Sequence, residues 1–235
     1  MLMPVTMQRR ASAPALLLEG VVARRLAWPP LLAATLGALL FAAVAVPRTD
    51  FERAAVEALA KSGAGDQQSP HDREVALDTA RRVGTLGAYA GAGLGTPLAA
   101  LFLAVALWLG FQVAGGRPDF RGSLTVASLG LIPGVAEQLL SVPALLVRGQ
   151  VPPWALDRLL PAGPGALLPP GDRTPLAALL WSIDLFSIAA VALVAWGMAR
   201  VASVSPRRAL LTTAVLWLGY VAVFRVAPAA FGGTH

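Results

Sequence analysis

Five apolar stretches, each 19 residues or longer, constrain the fold of this chain more than any other feature. A transmembrane helix needs about 20 such residues, because each residue rises about 1.5 Å and the hydrocarbon layer is about 30 Å thick. Backbone polar groups in lipid must be satisfied within their own segment, which favours helices. The stretches therefore predict an all-α polytopic membrane protein, a five-helix transmembrane bundle, with spans at residues 28–46, 87–113, 124–147, 176–199 and 209–227.

The composition agrees with a membrane protein and leaves little room for a separate soluble domain. Of 235 residues, 56% are hydrophobic and 14% are charged, whereas soluble domains average about 25% charged residues. We divide the chain into a basic, partly amphipathic segment at 1–27, a membrane domain at 28–227 and a tail at 228–235. Cysteine is absent, which excludes disulfides, thiolate metal sites and cysteine nucleophiles.

The distribution of basic residues predicts an orientation. If the N-terminus is cytoplasmic, the inside segments carry nine basic residues and two acidic ones, whereas the other loops carry nearly equal numbers of each sign. This bias follows the positive-inside rule and places the C-terminus outside. The nine are Arg9, Arg10, Arg24, Arg25, Arg117, Arg121, Arg200, Arg207 and Arg208. Eighteen of the 19 basic residues are Arg; with the many Ala residues, this usage is typical of a high-GC bacterial genome and indicates a bacterial inner membrane.

Three ionisable side chains fall within the spans: Glu137, Asp184 and Arg225. A carboxylate at a helix centre costs about 3 kcal/mol on the insertion scale, and the 12 Leu, Ile and Val residues of span three outweigh it at about −0.3 to −0.6 kcal/mol each. In the predicted topology Glu137 and Asp184 lie at similar depth, with Arg225 slightly shallower, and we expect a kink near Pro133. The three could form a polar site for an ion, a proton or a lipid headgroup, or they could be structural partners between helices.

Three glycines, Gly87, Gly91 and Gly95, stand four residues apart at the start of span two. Such spacing makes a smooth helix face that another backbone can approach closely. We interpret it as packing inside the bundle, with a dimer contact as the alternative.

The loops contain no recognisable catalytic motif. Residues 47–86 have the pattern of two short helices, and residues 148–175, rich in Pro and Gly, are expected to be irregular. A single histidine, His71, stands beside Asp72 and Glu74, which is too few ligands to predict a metal site. We expect no cofactor and no enzymatic activity. Basic residues are not interleaved with aromatic ones, so nucleic acid is not expected as a partner. The expected partners are the lipid bilayer and either a second copy of the chain or another membrane protein.

Two stretches of the sequence resemble the Yip family, membrane proteins named for interacting with Ypt/Rab small GTPases. The first is GGRPDFRGS at 115–123, followed by Ile132 and Pro133; the second is IDLF at 183–186, followed by SVSPRRA at 203–209. The chain is identified as a bacterial member, although Ile188 stands where bacterial members commonly have Trp. The resemblance implies a five-span architecture. The trafficking role of the eukaryotic relatives does not transfer to a bacterium.

Two functions therefore remain open. The first is a non-enzymatic scaffold or membrane-organising protein that holds partners through its loops. The alternative is a small permease or lipid-handling protein that uses Glu137 and Asp184.

Overall fold

The structure is a computed structural model that describes residues 13–62, 69–169, 172 and 174–231. The N-terminal part of segment 1–27, the centre of the 47–86 loop and the end of the C-terminal tail lie outside the described residues. The α-helices of the described part are α1 (Ala13–Ala23), α2 (Trp28–Ala45), α3 (Phe51–Ser62), α4 (Pro70–Ala90), α5 (Thr96–Val113), α6 (Phe120–Gly130), α7 (Ile132–Arg148), α8 (Pro175–Ser182), α9 (Leu185–Val201), α10 (Pro206–Val221) and α11 (Ala227–Phe231).

These helices combine into membrane-spanning units. A π-helical turn at Gly91–Gly95 joins α4 to α5, and another at Ala222–Val226 joins α10 to α11. In the described chain four helices are long and apolar enough to cross a membrane, and α8 with α9, bent by 60°, supplies a fifth if the pair counts as one span. The prediction of an all-α polytopic membrane protein is confirmed.

Helix starts follow from local sequence. Side chains of Ser69, Asp119, Thr174 and Ser205 accept a hydrogen bond from the backbone N–H three residues later, which satisfies a donor that the first helical turn leaves without a partner. Pro70, Pro175 and Pro206 follow three of these caps, where a missing N–H costs nothing.

The bundle has two unlike ends. The short-loop end carries the connections 24–27, 114–119 and 202–205, and the long-loop end carries the connections after α2 and after α7. At the short-loop end Arg25 pairs with Asp119 at 3.2 Å and Arg200 pairs with Glu19 at 3.5 Å. The second pair joins α1 to α9.

The main core lies in the short-loop half, among α5, α6, α9 and α10. Phe111, Val126 and Met198 are fully buried there. The central helix α6 is enclosed on nearly all sides, and its buried hydroxyls donate to carbonyls of the preceding turn, as Thr125 does to Arg121 at 2.9 Å. No polar group of Thr125 or Ser128 needs a partner outside the helix.

Helices α6 and α9 meet along a line of alternating glycine and valine, which we call the α6–α9 seam. A Cβ atom built on any of its glycines would lie 2.5–2.8 Å from a valine methyl of the other helix. The contacting pairs are Gly130 with Val194, Gly197 with Val126, and Gly122 with Val201. Small residues thus allow the two backbones to approach closely, as membrane helices commonly require.

Several predicted boundaries differ from the structure. Span three begins at Phe120 rather than at residue 124, because Asp119 caps the helix there. Span two is the end of a helix that already begins before residue 87, and the resulting unit, His71–Val113, is 43 residues long. The 148–175 loop is only partly irregular, since it contains 3₁₀ turns at Pro153–Arg158 and Pro164–Leu167.

Candidate functional site

A cavity of about 340 Å³ lies in the long-loop half of the bundle. Its walls come from α7, the break between α8 and α9, the end of α10 and the loop that follows α7. The polar side chains that line it are Glu137, Gln138, Ser141, Ser182, Asp184, Ser187, Tyr220 and Arg225. The structure therefore brings the three ionisable residues of the spans, which are far apart in sequence, to one site.

Asp184 caps a helix. Its Oδ1 accepts hydrogen bonds from the N–H groups of Phe186 at 2.6 Å and Ser187 at 2.8 Å, and the Ser187 hydroxyl accepts from the Asp184 N–H at 2.9 Å. This reciprocal arrangement is a capping box. The carboxylate thus satisfies backbone donors that would otherwise lack partners in a largely apolar surrounding.

The capping box corrects the interpretation of residues 176–199 as one uninterrupted helix that carries a costly charge. The chain leaves the helical conformation at Ile183 and Asp184, which are both extended, and α9 starts anew at Leu185. The carboxylate is at the start of a helix, where the helix dipole favours negative charge. The hydrogen bonds of Asp184 to Ser187 lie within its own turn, not between helices as the structural alternative supposed.

Glu137 lies on α7, fewer than two turns past the point where the third span is interrupted. Helix α6 ends at Gly130 and α7 begins at Ile132, with Pro133 in its first turn. This break occurs close to Pro133, where the kink was predicted. Ser141, on the same face, is buried and donates to the carbonyl of Gln138 at 2.7 Å.

Arg225 belongs to the π-helical turn Ala222–Val226 in the last span. A π turn inserts an extra residue into the helix and is frequent at functional sites. The neighbouring Tyr220 ring stacks on Phe224 with centroids 5.4 Å apart. Arg225 is exposed and also lines the cavity, so this residue borders both the cavity and the surface of the bundle.

The loop after α7 covers the cavity, which the sequence alone did not predict. Its residues Leu156, Leu159 and Leu160 form part of the cavity wall. Gly163 sits directly on the carbonyl of Ile183, where any Cβ would collide, and the Leu185 N–H donates to the Ala162 carbonyl at 3.3 Å. The loop is thereby held against the break between α8 and α9.

A cation–π contact and a hydrogen bond secure the loop at its far side. The Arg158 guanidinium lies 5.5 Å from the centroid of the Trp181 ring and donates to the Asp172 carbonyl at 2.8 Å. The Thr174 N–H donates to the Asp172 carboxylate at 2.9 Å. The hydrogen bonds from the backbone and side chain of Thr174, together with the nearby Arg158 charge, lower the pKa of Asp172.

The predicted packing glycines are not sites of close helix contact. A Cβ built on Gly87, Gly91 or Gly95 would meet no atom within 4 Å in the described chain. Helix α2 contacts the turn Gly91–Gly95, but no helix of the described chain approaches these three glycines closely enough to require a missing side chain. A dimer contact there stays a prediction. Close helix contact is instead allowed by the glycines of the α6–α9 seam, by Gly37 against Val135 of α7 and by Gly110 against Leu216 of α10.

The cavity is lined by groups that can bind a small polar ligand. Two carboxylates can accept hydrogen bonds from a cation, and the guanidinium can donate to an anion. In the described part of the chain, no three His, Asp or Glu side chains are close enough to hold a metal ion. The arrangement suits recognition of a group that carries both charges.

Comparison with protein families identifies the chain. Residues 13–226 match the model of the Yip1 domain, which covers all the membrane-spanning helices described above apart from the last turns of the final span. Comparisons with curated proteins and with solved structures find no significant match. The chain is a multi-pass membrane protein that belongs to the Yip1 domain family.

Proposed function

We propose that this protein is a non-enzymatic scaffold that holds other membrane components through its long-loop end. The observation that carries the proposal is the length of the helix His71–Val113. Its 43 residues extend about 65 Å, roughly twice the thickness of the hydrocarbon layer. The N-terminal part of this helix therefore projects into water as an arm that continues a membrane span.

Helix α3 braces this arm. The Phe51 ring packs against Gly84, where a Cβ would collide with it. We call α3 and residues 70–86 the projecting hairpin. Ion pairs such as Arg82 with Asp78 at 2.8 Å run along its charged surface. A braced helix that continues into the membrane holds its surface at a fixed position relative to the bilayer, which suits the binding of a partner.

Apolar side chains are exposed on the same hairpin. Val75 is 52% exposed and Val83 is 63% exposed, in a part of the helix that is otherwise rich in charge. Apolar groups that face water favour burial against another surface. This supports a protein partner at the hairpin.

Photo-crosslinking tests the scaffold function. A benzophenone side chain introduced at Val75 is expected to form a discrete protein adduct in the membranes of the host cell. The matched control is Phe102, which is 75% exposed in the middle of a membrane span and is expected to crosslink to lipid alone. The absence of a protein adduct at Val75, or the same adduct at both positions, would contradict the proposal.

The cavity favours a second candidate, a small permease or lipid-handling protein that uses Glu137 and Asp184. Its support is the meeting of these two carboxylates with Arg225 around one site. Protein reconstituted in liposomes should then move an ion or a lipid at a rate that falls when Glu137→Gln or Asp184→Asn is introduced. If the ion or lipid moves no faster than in liposomes without protein, the permease function is contradicted and the scaffold remains the proposed function.

For the location, we propose a bacterial inner membrane, with the N-terminus inside and the C-terminus outside. The support is the cluster of arginines at the short-loop end. Because the chain has no cysteine, single Arg121→Cys and Leu167→Cys variants report each end separately, and both native side chains are exposed. A membrane-impermeant maleimide should label intact cells at position 167 and not at position 121; the reverse pattern would overturn the orientation.

A further inference from the structure

We propose that the cavity of the long-loop half binds the headgroup of a zwitterionic phospholipid that carries a primary ammonium, as in phosphoethanolamine. The inference rests on the second candidate function and names its ligand class. It is independent of the scaffold function, which uses the projecting hairpin.

The charged residues that line the cavity favour one chemical class of ligand. Glu137 and Asp184 are its acidic residues and Arg225 is its basic residue, so carboxylates outnumber guanidinium groups. This excess disfavours a free anion such as inorganic phosphate. It favours a ligand whose positive group meets the carboxylates and whose phosphate meets the guanidinium, which forms bidentate bonds with phosphate oxygens.

The capping role of Asp184 is compatible with a ligand. Both capping bonds end on Oδ1, and a carboxylate has about four acceptor sites over its two oxygens. Oδ2 can therefore accept a further bond from an ammonium without loss of the cap. A primary ammonium donates up to three hydrogen bonds, and the hydroxyl of Ser141 and the amide of Gln138 line the same wall.

The apolar part of the lining fits an amphiphile better than a bare cation. Phe41, Leu156 and Phe186 line the cavity together with Trp181 and Trp217. Tryptophan is enriched at the depth of lipid headgroups because its ring is both apolar and polar. Arg225 and Gln138 line the cavity and are themselves exposed, so the cavity is open to the surface of the bundle.

Native mass spectrometry of the full chain in detergent tests the inference. The probes are phosphatidylethanolamine, phosphatidylcholine and phosphatidylglycerol with identical acyl chains. Choline keeps the positive charge but has no N–H donors, so the ethanolamine lipid should be retained about tenfold more than the choline lipid, the order of one charge-assisted hydrogen bond. It should also be retained more than the anionic glycerol lipid.

Variants locate the preference in the cavity. Glu137→Gln should reduce the preference for the ethanolamine lipid to about twofold or less, while Glu137→Asp should restore part of it. Arg225→Gln should weaken the retention of all three lipids, because each carries the phosphate that the guanidinium would bind. Matched controls remove the same charges elsewhere, Glu74→Gln on the projecting hairpin and Arg207→Gln at the short-loop end, and should leave the preference unchanged. Monodisperse elution of each variant shows that it folds.

Two results would overturn the inference: equal retention of the three lipids, or a preference for the ethanolamine lipid that survives Glu137→Gln. Its failure is distinguishable from that of the function on which it rests. A lipid preference without transport in liposomes would refute the permease and keep the headgroup site. Transport that depends on Asp184 without any lipid preference would refute the headgroup site and keep the permease.

Discussion

The two halves of the bundle contain the same membrane spans but differ in helix regularity and in packing. In the short-loop half, α6 and α9 are regular and interlock through the α6–α9 seam, and the core is closely filled. In the long-loop half, the third and fourth spans are interrupted and the second and fifth contain π turns. A cavity with three ionisable residues lies there.

The difference shows where stability and binding capacity reside. Close packing drives helix association in lipid, where apolar burial gives little advantage, and the seam supplies it at one end. Interrupted helices expose N–H groups that need partners, and at the break in the fourth span the Asp184 side chain provides them. We infer that the short-loop half contributes most to the stability of the fold and that the long-loop half contains the binding cavity.

The largest expected effect comes from filling the seam. Gly197→Val places methyl groups where a Cβ would already lie 2.8 Å from the Val126 side chain, and overpacking of this kind costs about 1–3 kcal/mol. Thermal unfolding in detergent should show a clearly lower midpoint. Adding Val126→Ala in the same chain should recover part of the loss, because it makes room on the opposite helix.

Gly87→Val is the matched control in the other half. A Cβ at Gly87 meets no atom within 4 Å in the described chain, so the midpoint should change little. A loss at Gly87 as large as that at Gly197 would contradict the distinction between the halves and would indicate a contact with a second copy.

A smaller effect is expected at the helix break. Asp184→Ala removes the acceptor for two N–H groups and should cost about 0.5–2 kcal/mol, the range for loss of an N-cap. Asp184→Asn keeps a capping oxygen without the charge and should be nearly as stable as the parent in the same unfolding measurement. Equal destabilisation by both variants would show that the charge, rather than the cap, is what the fold requires.

The smallest effect concerns the pH response of the covering loop. The hydrogen bonds of the folded state lower the pKa of Asp172 below the 3.8 of an unperturbed aspartate, so the ionised carboxylate stabilises the fold above that pH. The contribution is lost as the pH falls below 3.8 and the carboxylate becomes protonated in the folded state. The unfolding midpoint should drop slightly more in the parent than in Asp172→Asn over that interval, and parallel curves would show that Asp172 makes no such contribution.

The membrane spans and the similar depth of Glu137 and Asp184 could be predicted from sequence. Both depend on quantities that add up residue by residue along the chain, namely hydropathy and helical rise. Hydropathy fixes which segments enter lipid, and 1.5 Å per residue gives the depth of Glu137 and Asp184. The cap at Asp184 is harder to predict from the sequence. In its capping box the third residue of the helix is Ser187, whereas that residue is more often Glu or Gln. An apolar window that contains one aspartate has the same composition whether its helix is whole or broken.

Packing partners could not be predicted, because spacing along one helix does not determine what lies against it. Gly87, Gly91 and Gly95 have the stronger periodic pattern, yet close helix contacts occur at glycines without that spacing, such as Gly37, Gly110 and Gly197. The covering loop was missed for a related reason. The loop is positioned in part by the close approach of Gly163 to Ile183. These two residues lie before and after α8 in the chain.

Hydrogen–deuterium exchange of the full chain in lipid nanodiscs tests the contrast between the two halves most directly. The account predicts that backbone amides of the seam, at residues 122–130 and 194–201, exchange at least about tenfold more slowly than those near the interruptions, at 131–135, 183–187 and 222–226. Equal protection along the spans, or faster exchange in the seam, would contradict it.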